Sequence, residues 1–138
     1  MLRNITRGAS GYLIYRGGGA HYAFVMHRIS GLATLAFLSL HIITESTVFF
    51  APQLYEPINA MFRNPFVMSA EIFLAYFVIF HGVNGFRIAC LDLLRPDLWA
   101  SPMGIRSARW VWIVSFALWL PALAVLGYNL LRHGFGID

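Results

Sequence analysis

The stretch that decides the fold begins Phe66-Val67-Met68-Ser69-Ala70-Glu71-Ile72-Phe73-Leu74-Ala75-Tyr76-Phe77-Val78-Ile79. It continues Phe80-His81-Gly82-Val83-Asn84-Gly85-Phe86-Arg87, with Asp92 shortly after. Phe66 to Ile79 is almost wholly apolar, and with its continuation to Leu91 it is long enough to cross about 30 Å of hydrocarbon as a helix. His81 then sits at membrane depth, where an ionisable side chain is costly and marks a functional site. Gly82 and Gly85 flank it. Gly85 lies one turn further on the same helix face and leaves room there for something bulky and flat. An imidazole nitrogen binds iron, and missing side chains let a macrocycle approach the backbone, so one reading of His81 is a haem ligand. The other is a histidine hydrogen-bonded to a neighbouring helix. Arg87 and Asp92 follow where the helix leaves the bilayer, suited to a haem carboxylate or a partner's charge.

Composition agrees with the bilayer. Only 12% of the 138 residues are charged, against about 25% in soluble domains. Every basic residue is an arginine, and these sit at the ends of apolar segments, which fits orientation in a membrane better than nucleic-acid binding. Cys90 is the single cysteine, which excludes an intrachain disulfide and a Cys-rich metal or iron–sulfur site. Met1 to Ala20 does not read as a secretory signal peptide.

Outward from the central stretch, the chain reads as an all-α membrane protein with three transmembrane helices. Residues 1–23 form a basic, glycine-rich arm with Tyr12, Tyr15 and Tyr22 at headgroup level. Spans follow at about 24–50, 66–91 and 110–131, so the membrane anchor covers 24–131 and a tail covers 132–138. Between them lie a Pro/Asn-rich loop with a short helix over Leu54 to Phe62, and a polar linker from Leu93 to Arg109. Glu71 falls early in the second span, facing protein or water. The third span opens on Trp110 and Trp112, contains Pro121 and reads as scaffold. In the first span His27, Ser30, Gly31, Thr34 and His41 share one stripe. It is small and polar in the middle, where a helix or a cofactor would press. Helix packing leaves the two histidines on it unexplained.

Arg3, Arg7, Arg16, Arg28, Arg87, Arg95, Arg106 and Arg109 fall on the N-terminal side, and Arg63 and Arg132 on the other. This asymmetry expects the N-terminus in the cytoplasm and the C-terminus outside. Three helices enclose a haem poorly, and a bis-histidine site would need its other ligand from another chain. The chain reads as half of a larger bundle.

Two segments resemble a known family. Phe24-Val25-Met26-His27-Arg28-Ile29-Ser30-Gly31 is similar to the Ser-x-x-His-Arg-x-Ser/Thr-Gly signature that opens the first helix of the cytochrome b anchor subunit of succinate dehydrogenase, respiratory complex II. His81-Gly82-Val83-Asn84-Gly85-Phe86-Arg87, followed by Asp92, resembles that family's second-helix signature, His-x-x-x-Gly-x-Arg…Asp. Ile14-Tyr15-Arg16-Gly17 and Leu40-His41 look closest to anchors from menaquinone-using bacteria.

The resemblance implies that His81 is an axial ligand of haem b, and that His27 and Arg28, with Ser30, lie by the quinone pocket and the haem propionates. Gly85 and Arg87 would belong to the same cofactor-binding set. It implies a second three-helix anchor subunit supplying the other axial ligand, with an iron–sulfur subunit and a flavoprotein subunit docked on the cytoplasmic face of the bacterial plasma membrane. No residue here would touch succinate. Electrons would pass to quinone, menaquinone in preference to ubiquinone. A fumarate reductase anchor running in reverse and a haem-free quinone-binding anchor are the alternatives. Two features depart from the pattern. Phe24 stands where ubiquinone-reducing members have a serine, and a phenyl ring cannot donate to a quinone carbonyl. His41 has the depth of a distal haem ligand, which would make two haems. Otherwise it is a lone interior histidine or lines a distal menaquinone site.

Overall fold

A computed structural model describes residues 18–99 and 101–136. The expectations for the arm up to Gly17, including the Ile14–Gly17 motif, lie outside these residues. Among them there are four α-helices and no strand: α1 (Gly18–Phe50), α2 (Pro52–Phe62), α3 (Pro65–Leu94) and α4 (Pro102–Asn129). A 3₁₀ turn (Pro96–Leu98) separates α3 from α4, and a π-helical turn (Leu130–Gly134) closes the described chain. Three of the helices are long and apolar enough to cross a membrane, and this is a multi-pass membrane protein. Large apolar side chains such as Leu32, Phe49, Phe66 and Phe86 are exposed along them, as expected where lipid or a partner rather than water covers the surface.

Local chemistry sets the helix starts. Asn64 caps α3 by accepting from the Phe66 amide at 2.9 Å, with Pro65 in the first position. Ser101 does the same for α4, accepting from the Gly104 amide at 3.1 Å ahead of Pro102. Both pair a capping oxygen with a proline whose missing N–H is not needed there. The third long helix therefore starts at Pro102, inside the stretch read as polar linker, and it continues through Pro121.

The first helix likewise starts at Gly18, within the stretch read as an irregular arm. Tertiary packing overrides the weak helix propensity of glycine here. Ala23 is buried with Phe80, Ala108 and Val111, flanked by Met26, Tyr76, Val83 and Trp112, and Asn84 reaches across from α3 to the Ala23 carbonyl oxygen at 3.5 Å. This small core ties all three long helices together at the end that carries His27 and His81. Further along, the Trp119 indole donates to the Ile72 carbonyl at 2.9 Å, holding α4 to α3.

Candidate functional site

His27 on α1 and His81 on α3 meet face to face, with ring centroids 4.1 Å apart and planes 3° from parallel. The His27 stripe of α1 turns toward α3, with Ser30 fully buried. Gly31 makes the approach possible. A Cβ there would lie 2.8 Å from His81 Cε1 and 3.2 Å from Nδ1, too close for any other residue without displacing the ring.

The His81 ring is held from one edge. Its Nδ1 lies 3.1 Å from the carbonyl oxygen of His27. The Ser30 hydroxyl, which donates to that same carbonyl at 3.0 Å, is 3.4 Å from Nδ1. Facing a carbonyl, Nδ1 is the nitrogen that donates, and the tautomer with its proton there carries its lone pair on Nε2. Neither contact uses Nε2. One nitrogen bonded to a backbone oxygen and the other left as a donor is how protein structures orient a metal-binding imidazole. The residues therefore fit an axial haem ligand, although the neighbouring-helix hydrogen bond of the plainer reading is also present.

The two rings cannot hold iron between them, because they offer each other faces rather than nitrogens. Nδ1 of His27 is buried with no hydrogen-bond partner, as is Oδ1 of Asn84. Asn84, 1% exposed, borders a mostly apolar cavity of about 70 Å³ with Phe24, Arg87 and Trp99.

The structure gathers His27, Ser30, Gly31, His81 and Gly85, and leaves the other candidates elsewhere. Gly85 faces the site, but the space it frees is taken by the His27 ring, since a Cβ at Gly85 would sit 3.5 Å from His27 Cε1. At Gly82 a Cβ would meet nothing within 4 Å. Arg28 is exposed, one residue off the stripe, with its guanidinium 4.4 Å from the centroid of the Phe24 ring.

Arg87 is engaged inside the chain. It donates to the Ser107 hydroxyl at 2.7 Å and the Gly104 carbonyl at 2.8 Å, and lies 5.6 Å from the Trp99 ring centroid. Arg87 does not pair with Asp92. Asp92 instead accepts from the Trp99 indole at 2.7 Å, because the short turn between α3 and α4 folds Trp99 back over the end of α3. Sequence reasoning missed Gly104, where a Cβ would collide with the Leu98 carbonyl. Its place three residues after a capping serine and two after a proline was the available signal.

His41 belongs to a second locality. It is exposed on this chain and stacks on Phe37 (centroids 5.7 Å, 12° between planes). It borders a cavity of about 510 Å³ with Thr44, Glu45, Asn59 and Glu71. Among the described residues no cluster of three or more His, Cys, Asp or Glu side chains could hold a bare metal ion. A haem iron, whose macrocycle already supplies four nitrogens, needs no such cluster.

Three apolar helices with a histidine pair at one end and a third histidine in a cavity toward the other make up a multi-pass membrane subunit. Residues 12–122 match the succinate dehydrogenase/fumarate reductase transmembrane subunit family, and the chain belongs to it. It is 32% identical, over 124 residues, to the succinate dehydrogenase 2 membrane subunit SdhC of Mycobacterium tuberculosis, covering 87% of this chain and 86% of that protein. It is thus a membrane subunit of an oxidoreductase complex and works with that complex's other subunits.

Proposed function

We propose that this chain is the haem b-binding anchor of a succinate:quinone oxidoreductase in a bacterial plasma membrane, with His81 Nε2 as one axial ligand. What supports this reading is the division of roles on one ring, where Nδ1 is tied to the His27 carbonyl and Nε2 carries none of the hydrogen bonds. The bound haem would supply a one-electron carrier beside the path from the iron–sulfur subunit to quinone. A second three-helix anchor would supply the other histidine to the haem, because His27 stacks on the His81 ring instead of facing its Nε2.

The parts of this chain divide the remaining work. Ser30 and the His27 backbone orient the ligand ring. His27 Nδ1, buried and unpartnered, is the group placed to hydrogen-bond a quinone or a propionate brought by the assembled complex. Arg28, exposed beside it, offers a fixed cation to an anion in low dielectric. The cavity at His41 takes a second flat, apolar cofactor, a distal haem or menaquinone. The arginine asymmetry sets the N-terminus in the cytoplasm, where the flavoprotein and iron–sulfur subunits dock, and succinate oxidation to quinone reduction is the proposed direction.

The test is a reduced-minus-oxidised spectrum, with haem-to-flavin stoichiometry, of the purified complex carrying His81→Ala. Loss of a b-type signal is expected. A full signal removes His81 from the ligands, and no haem in the unsubstituted complex leaves a haem-free quinone anchor.

A further inference from the structure

We infer that Asn84 is a positioning residue for the His81 site. By holding the Ala23 carbonyl it sets the register of α1 against α3, and with it the direction in which Nε2 of His81 points. The inference rests on the proposed haem only for its spectroscopic readout.

Packing alone does not call for an amide at position 84. Asn84 is 1% exposed, between helices whose shared core is Ala23, Phe80, Ala108 and Val111. An aliphatic side chain of similar shape would fill that space with no polar atom. The amide instead leaves Oδ1 buried and unpartnered, and an orphaned acceptor is destabilising. What the amide contributes lies on its other side, where Nδ2 donates to the Ala23 carbonyl at 3.5 Å.

That link and the one at His81 form a ladder between antiparallel helices. From His81 to Asn84 the ladder goes forward along α3 by about 4.5 Å, and from His27 to Ala23 it goes back along α1 by about 6 Å, at 1.5 Å rise per residue. Within α1 the carbonyl of residue 23 also accepts from the amide of residue 27, four positions on. His27 therefore hangs by its N–H from the carbonyl that Asn84 holds, and with its own carbonyl it holds Nδ1 of His81 at 3.1 Å. The glycines leave little slack around it. A Cβ at Gly31 would lie 2.8 Å from the His81 ring, and one at Gly85 would lie 3.5 Å from the His27 ring. A displacement of α1 thus draws the His27 carbonyl away from Nδ1 and turns the His81 ring. A hydrogen bond at Nδ1 fixes the plane of a metal-binding imidazole and raises the basicity of its other nitrogen, and both affect the potential of a haem iron.

The experiment compares the whole purified complex with and without Asn84→Leu, which keeps the branched shape and removes the amide. The readouts are the electron paramagnetic resonance of the low-spin ferric haem, its midpoint potential and the thermal midpoint. The variant is expected to keep its haem-to-flavin ratio and to melt no lower, because an interhelical hydrogen bond in a membrane is worth little and the orphaned Oδ1 goes with it. Its highest-g line should move and its potential rise, because a weaker bond at Nδ1 makes a less basic ligand. An unmoved line and potential overturn the positioning role. Ser115→Ala is the control. It removes another fully buried, unpartnered polar group, on α4, and should move neither signal. An equal shift there overturns the inference, since the haem would then report general loosening. If Asn84→Leu does not assemble, Asn84→Ala takes its place, and failure of both makes Asn84 a folding residue and overturns the role proposed. A cryo-EM map of the variant decides without haem. The contact between His81 Nδ1 and the His27 carbonyl is expected to open past about 3.5 Å, outside hydrogen-bond reach, and an unchanged contact sinks the inference. Absence of haem from the unsubstituted complex refutes the proposed function and leaves this last measurement to decide the role of Asn84.

Discussion

The carbonyl oxygen of His27 holds Nδ1 of His81 at 3.1 Å while the His27 imidazole covers the His81 ring at 4.1 Å. One residue thus acts twice, through its backbone and through its side chain, and the two actions separate by mutation. In His27→Ala the carbonyl remains and the covering ring goes. The complex is expected to retain its b-type absorption with an altered midpoint potential in a redox titration. Complete loss of haem in this variant would mean that the side chain itself holds the cofactor or the fold.

Gly31 and Gly82 make a matched pair. At Gly31 a Cβ lies 2.8 Å from the His81 ring, whereas at Gly82 it meets nothing of this chain within 4 Å. Forcing a methyl into a packed site costs about 1–3 kcal/mol. Gly31→Ala should therefore lower the haem-to-flavin ratio by pushing the ligand ring off its carbonyl. A Gly31→Ala complex with normal haem content and an unshifted absorption maximum would contradict this geometry. If Gly82→Ala proves the more damaging, the cause lies in a partner or the macrocycle on that face.

Arg87 secures the turn between α3 and α4 through Ser107 and the Gly104 carbonyl. Hydrogen bonds from a charged group contribute about 1.5–3 kcal/mol each. Arg87→Ala should lower the thermal midpoint of the detergent-solubilised complex by several degrees, and Gly104→Ala should do the same by clashing with the Leu98 carbonyl. If Arg87 instead serves a haem propionate in the assembled complex, its loss will change the haem potential as well as the stability. A titration alongside the melt distinguishes the two.

The exposed pair Arg95–Asp97, 3.0 Å apart, gives a pH dependence of known sign. The hydrogen bond from Arg95 holds the Asp97 carboxyl below the usual carboxylate range. Its stabilisation is present above the unfolded-state value and is lost as pH falls through the folded one. Because both groups are open to solvent, Asp97→Asn should leave the melting temperature nearly unchanged at neutral pH, and less affected still at high salt. A large drop would mean that the pair is covered in the complex, by another subunit docked on the turn.

Much of the site was legible along the chain because helical geometry is local. The apolar run before His81 reads as a span by length alone, and the 100° step puts His27, Ser30 and Gly31 on one face without reference to any other helix. The proline and capping serine at Ser101–Pro102 carried the start of α4, although the polar composition around them reads more readily as linker. The role of Gly85 was half legible. Its face was readable, but that His27 fills the space it leaves depends on the rotation of α1 against α3.

What this sequence determined by itself is the membrane: three spans, their approximate ends, and a histidine deep in two of them. These follow from hydropathy and the 1.5 Å helical rise, which involve near neighbours only. The tertiary structure alone decided that His81 hangs from the His27 carbonyl, that Arg87 serves Ser107 and Gly104 instead of Asp92, and that Asn84 reaches the Ala23 carbonyl. Each of those depends on how helices rotate and cross, set by small side chains packing between residues far apart in the chain.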